Sequence, residues 1–204
     1  ASDYADQMVG RVLDKLDATG EADNTIIVLF SDHGYHLGDK KSCVKFTLWE
    51  KANHVPFIIV APGVTEPGTV CEQPVSLLDI YPTLIDLCGL PQKEDLDGES
   101  LLPLLKDPNT SWERPALMTM GRGNHAIRSE RWRYIRYSDG SEELYDHDND
   151  PWEWENLAMH PQYAPVLADH RRWIPETEVP WQIDESKNWI YTREIWDDKP
   201  TNEK

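Results

Sequence analysis

The stretch Phe30-Ser31-Asp32-His33-Gly34-Tyr35-His36-Leu37-Gly38-Asp39 concentrates side chains able to hold a cation or an anion. Asp32 offers a hard carboxylate oxygen of the kind calcium and magnesium take. His33 offers an imidazole nitrogen, which softer metals prefer. A lone Asp after a strand more often caps a helix than binds a metal, so the pair needs a context. Lys45, twelve residues beyond His33, adds a cation that can neutralise an oxyanion. Lys40 and Lys41 read as solvated surface lysines, whereas Cys43-Val44 before Lys45 and Phe46 after it set that residue on a partly buried segment. Tyr35 and His36 either line a substrate pocket or pack beneath the loop. Glu50 and His54 stand at i, i+4 and read as a structural pair on a helix face.

These residues follow Thr25-Ile26-Ile27-Val28-Leu29-Phe30, an apolar run that reads as a strand buried on both faces. Ligands of open α/β sheets gather just past the carboxyl ends of such strands, which is where Asp32 and His33 fall. Val55-Pro56-Phe57-Ile58-Ile59-Val60-Ala61-Pro62-Gly63 reads as a second buried strand. Tyr4, Met8, Val9, Val12, Leu13 and Leu16 share one helical face over 3–18, with Ser2 or Asp3 to cap it and Gly20 to stop it. Helix, short acidic turn and buried strand make an α/β crossover. Opening the chain on that helix leads us to expect a preceding segment.

Residues 75–88 form a further amphipathic helix, which Pro82 should kink or start near Ile80. Leu90 to Asp107 reads as a linker. From Arg114 the character changes. Ala116–Met120, His125–Arg128, Trp132–Tyr137 and Glu142–Tyr145 are short, aromatic-rich and separated by turn residues, the signature of a small antiparallel sheet. His125 is a polar group at one strand start and a candidate for contact with substrate. Asn156–Trp173 reads as a helix broken by Pro161 and Pro165, and Trp173, Trp181, Trp189 and Trp196 as anchors for an irregular tail.

Composition excludes several function classes. A net charge of −17 over 204 residues argues against a nucleic-acid binder. No apolar run approaches the roughly 18–20 residues of a membrane span, and the first residues lack the basic start and apolar core of a secretory signal. Cys43, Cys71 and Cys88 lack zinc-like spacing. They read as small buried or half-buried residues, with a Cys71–Cys88 pair left open.

The combined pattern resembles a known family. S-D-H-G-x-H-L-G-D, then Lys45, then H-V-P-F-I-I-V-A-P-G is similar to the type I sulfatases of the alkaline-phosphatase superfamily, and nearest to their bacterial iduronate-2-sulfatase-like branch. Glu143-Leu144-Tyr145-Asp146, Asp150-Pro151-Trp152-Glu153 and Asn156-Leu157 resemble the E-L-Y-D…D-P-x-E…N-L signature of that family, where its role is structural. The resemblance implies that Asp32 and His33 help bind one divalent cation, Ca2+, and that Lys45 reaches the sulfate and the ester oxygen. It implies that the second region closes the substrate cleft. It also implies a formylglycine made in a C-x-P-x-R or S-x-P-x-R motif, which no cysteine here satisfies.

The expectation is therefore an α/β chain forming the C-terminal part of an alkaline-phosphatase-like core over 1–110, with a small antiparallel subdomain and Trp-rich tail over 111–204. Its function would be sulfate removal from a sulfated saccharide, with Lys45 catalytic, Asp32 and His33 on the metal, and Lys45, Tyr35, His36 and His125 toward substrate. The N-terminal half of the same enzyme would be its partner, and the fragment alone would be inactive. The family resemblance points to a periplasmic or secreted location. A phosphonate or phosphodiester hydrolase of the same superfamily, or a non-catalytic sulfated-glycan binder, remains open.

Overall fold

The apolar stripe near the start does fold as a helix: α1 spans Ser2–Thr19 and ends at Gly20, whose φ of +75° suits the left-handed stop. The computed structural model describes residues 2–178. After α1 come β1 (Ile27–Phe30), a single helical turn α2 (Glu50–Asn53), β2 (Phe57–Val60), α3 (Ile80–Leu87) and the short α4 (Leu102–Lys106). Four strands follow, β3 (Ala116–Thr119), β4 (His125–Arg128), β5 (Trp132–Arg136) and β6 (Glu142–Asp146), and then α5 (Ala164–Arg171). Among the described residues, 2–32 and 55–112 cluster into one compact unit, and 33–54 with 113–178 into another. The segment carrying His33 and Lys45 thus groups with the later strands. Trp181, Trp189 and Trp196 lie outside the described residues.

In the first unit β1 pairs with β2 antiparallel, Ile27 opposite Val60 and Phe30 opposite Phe57. Burial on both faces was the expectation, and it is not met: Phe30 is 51% exposed and Ile58 54%. An apolar run reports affinity for a core, and neither strand direction nor the layers that would cover it. α1 covers nothing of its own, since none of its residues is buried.

α3 begins at Ile80 as Pro82 requires, with the proline held in the first turn where its missing N–H is tolerated. A 3-10 turn, Leu77–Asp79, leads into it through a capping box in which Leu78 N–H donates to Ser76 Oγ and Ser76 N–H to Asp79 Oδ2. The buried Asp79 also accepts from Glu99 N–H at 2.9 Å, and Thr83 Oγ1 accepts from Leu101 N–H at 2.8 Å. These bonds stitch the 90–107 segment onto α3. All three cysteines are exposed free thiols, which corrects the expected burial and leaves Cys71 and Cys88 unpaired with each other. They sit on loops and a helix end, where a small residue is not drawn inward.

The second unit is a four-stranded antiparallel sheet in the order β3-β4-β5-β6. The two-residue period of the strands divides its apolar residues cleanly. Ile127, Tyr134 and Leu144 face Leu167 of α5 and Ile174, while Ala126, Ile135 and Tyr145 face Leu48. Both faces are covered from within the unit.

Candidate active-site loop

The loop from His33 to Asn53 is shaped by one close approach and one tight turn. Gly34 N–H donates to Ala52 O at 2.8 Å, and a Cβ at Gly34 would lie 2.1 Å from the Lys51 carbonyl oxygen, so a side chain there is excluded. Further on, His36 N–H donates to Val44 O at 3.1 Å and Gly38 N–H to Ser42 O at 2.9 Å. The chain doubles back through this pairing, and Lys45 returns to the level of His33.

His33 and Lys45 are thereby brought together, Lys45 Nζ lying 2.8 Å from His33 Nε2. An ammonium can only donate, so Nε2 accepts, and the ring proton sits on Nδ1, 2.8 Å from Gly34 O. Asp32 is exposed at the end of the first unit, one residue before His33. Tyr35 is half exposed and its hydroxyl donates to Cys43 O at 2.9 Å. His36 is buried: its Nε2 meets Thr47 Oγ1 at 2.7 Å and its ring stands edge-on to Trp49. Burial lowers its pKa. His125, also buried, has Nδ1 2.9 Å from Thr119 Oγ1 and Nε2 2.6 Å from Glu178 Oε1. The hydrogen bond from His125 holds the Glu178 carboxyl below the usual carboxylate range. Both ring nitrogens of His125 are spent on anchoring neighbours.

Sequence reasoning did not find the charged cluster under the loop. Arg133, on β5, is 1% exposed; its Nη1 donates to Leu48 O at 2.9 Å, its Nη2 pairs with Glu50, and its Nε lies 2.7 Å from Glu153 Oε1. Arg128 Nε stands 3.3 Å from Glu50 Oε2, and Glu50 N–H donates to Glu153 Oε2 at 3.0 Å. Burial pushes the Glu50 carboxyl up, yet Arg133 and Arg128 outweigh it and hold the group at about 2. Glu50, His147 and Glu153 approach closely enough to share a metal ion. The guanidinium of Arg133 already stands among them and supplies the cation. The expected Glu50–His54 pair is present at 3.3 Å, on the rim of this cluster. The signal in the sequence was Arg131-Trp132-Arg133-Tyr134, whose alternation turns Arg133 toward the Leu48 side.

Lys40 also departs from the sequence reading. It is not solvated but lies over the rings of Trp49 and Tyr145. Burial lowers its pKa, with Glu153 opposing the shift.

Residues 1–90 match the family model described as Sulfatase. Over 181 residues the chain is 38% identical to a sulfatase of Formosa agariphila, covering 89% of this chain and 36% of that protein. Among solved structures, a 2-O GAG sulfatase superposes with a TM-score of 0.73 at 30% identity, over 81% of this chain and 38% of that one. A phosphonate monoester hydrolase from Silicibacter pomeroyi superposes with a TM-score of 0.72 at 31% identity, over 82% and 37%. The chain spans about a third of the length of the curated relatives it matches. Its sequence is similar to that of sulfatases over this third, and its fold is the α/β fold of solved sulfatase structures, with small antiparallel sheets and helices. No helix among the described residues is long and apolar enough to cross a membrane.

Proposed function

We propose that this chain is the C-terminal portion of a sulfuric ester hydrolase that removes sulfate from a sulfated carbohydrate, of the iduronate-2-sulfatase-like branch and working in the periplasm or outside the cell. The observation that carries the reading is the 2.8 Å approach of Lys45 Nζ to His33 Nε2. It joins a cation to a nitrogen lone pair of the kind that binds metals. Lys45 keeps two further N–H donors, and these can neutralise charge on a sulfate and on its leaving oxygen as the ester bond breaks.

Asp32 and His33, neighbours in the chain, would contribute one carboxylate oxygen and one imidazole nitrogen to a divalent cation. His33 fits that part once Lys45 turns to the sulfate: with Nδ1–H held on a backbone carbonyl, the Nε2 lone pair that accepts from Lys45 would pass to the cation. Two ligands fall short of the six to eight that calcium takes, so the remainder are assigned to a preceding segment of the same enzyme. When bound there, calcium would polarise the sulfate and a formylglycine would furnish the nucleophile. Tyr35 is half exposed and is the one of the three we assign to the substrate side, whereas His36 and His125 would act from beneath. The apolar faces of β1 and β2 and the uncovered α1 give the preceding segment a surface to pack on.

A phosphonate monoester hydrolase is the second reading, favoured by a structural likeness as close as that to the sulfatase. One experiment separates the alternatives. With the preceding segment supplied, the protein should release sulfate from sulfated disaccharides or aryl sulfates, and Asp32→Ala should lose both bound calcium, measured by atomic absorption, and turnover. Undiminished calcium in that variant would remove Asp32 from the site. Faster cleavage of a phosphonate monoester would favour the second reading, and sugar binding without hydrolysis would make the protein a glycan-binding relative.

A further inference from the structure

The turn between His33 and Lys45 contains two adjacent non-glycine residues in the left-handed region, Lys40 at φ +50° and Lys41 at +59°. L-residues hold that conformation only where their surroundings enforce it. Lys41 is exposed. Lys40 is the residue that is gripped. Its ammonium lies 4.9 Å from the centroid of Trp49 and 4.4 Å from that of Tyr145, stands 3.3 Å from the Tyr145 hydroxyl, and donates to the backbone carbonyl of Glu153.

The walls of this cage are themselves fixed. Trp49 Nε1 donates to Glu143 Oε2 at 2.7 Å, and the Tyr145 hydroxyl donates to the same oxygen at 2.9 Å. The Glu153 side chain is locked by Arg133, His147 and the Glu50 backbone. Glu143, Tyr145 and Glu153 are the E-L-Y-D…D-P-x-E residues, so the sequence signature converges on one lysine more than a hundred positions earlier.

We propose that Lys40 is a positioning residue: its ammonium, caged by Trp49, Tyr145 and the Glu153 carbonyl, pins the 38–42 turn so that Lys45 is delivered to His33. The lever arm is short. Gly38 and Ser42 are bonded across the turn, as are His36 and Val44, and Lys45 is the next residue along. A turn freed at Lys40 can relax out of the left-handed region, and the Lys45 end then moves with it. The inference rests on the reading of Lys45 as the sulfate-binding lysine, and it gives Tyr145 and Glu153 a part in the chemistry without contact with substrate.

The test uses the complete enzyme and inorganic sulfate as the probe, by titration calorimetry well below the melting temperature. Lys45→Ala should abolish sulfate binding, and Lys41→Ala should leave it unchanged. Lys40→Met keeps the stem but not the charge, and should weaken sulfate about tenfold, the order expected for losing a desolvated cation–π pair. Lys40→Arg, which can stack on the same rings, should stay within about twofold of the parent. A merely structural role would lower the melting temperature and leave sulfate affinity intact at the lower temperature. Parent-like affinity in Lys40→Met alongside loss in Lys45→Ala would overturn the positioning role while the proposed function stands. Parent-like affinity in Lys45→Ala would overturn both. Should Lys40→Met fail to fold, Lys40→Gln decides by the same comparison.

Discussion

The two units use similar apolar sequence to different ends. In the first, an 18-residue helix buries none of its side chains, and a two-stranded ribbon leaves Phe30, Ile58 and Val60 open. In the second, Ala126, Ile127, Tyr134, Ile135 and Leu144 have no measurable exposure, because α5 covers one face and the Leu48 segment the other. Apolar content alone does not make a core. The second unit carries its own cover and a charged lock beneath it, and the residue pair we assign to sulfate chemistry sits on that better-built side.

The largest expected effect tests the lock. Arg133→Met leaves the buried Glu153 without its guanidinium and Glu50 with Arg128 alone, and should cost about 3–5 kcal/mol in urea unfolding. A cost below about 1 kcal/mol would mean that packing alone holds the second unit. Ile135→Ala sharpens the contrast between the units. Deleting this fully buried side chain should cost about 2–4 kcal/mol, while Ile58→Ala in the open ribbon should stay within about 0.5 kcal/mol. Equal losses would mean that the two units are equally well packed.

The third expectation concerns acid. Glu50 titrates at about 2 in the folded protein against an ordinary 4.5. A depressed folded pKa stabilises fully above the unfolded value and is lost as pH falls through the folded one. Stability should therefore decline between about pH 4.5 and pH 2, by on the order of 3 kcal/mol from this group. In Glu50→Gln that part of the decline should vanish, and an unchanged acid limb would assign it to other carboxylates.

Much of this was legible in the chain. The four strands of the second unit follow from turn residues between short aromatic runs, and α3 starts where Pro82 allows. The family resemblance named both His33 and Lys45, and the loop brings these two side chains within 2.8 Å of each other. What stayed hidden depended on contacts across long separations. The pairing of β1 with β2 cannot be read from two apolar runs, because each is compatible with either direction. Lys40 looked solvated because its cage is assembled from Trp49, Tyr145 and Glu153, and Arg133 meets Glu50 and Glu153 only once the chain has folded. His36 offered no sign of whether it would point outward or pack under the loop, and it packs.

Arg133 has one more consequence, for how the sheet finds its alignment. Where one face of a sheet is wet, a shift of one residue is self-correcting, because it would drive polar side chains inward. Here apolar residues line both faces of β5, so a shifted strand would still find greasy surroundings on each side. Such a slip would turn the Arg133 guanidinium toward Ile127 and Leu144 and away from Glu50 and Glu153. One buried charge thus makes the misaligned hairpin the costly one, and gives a folding chain a reason to unzip and try again.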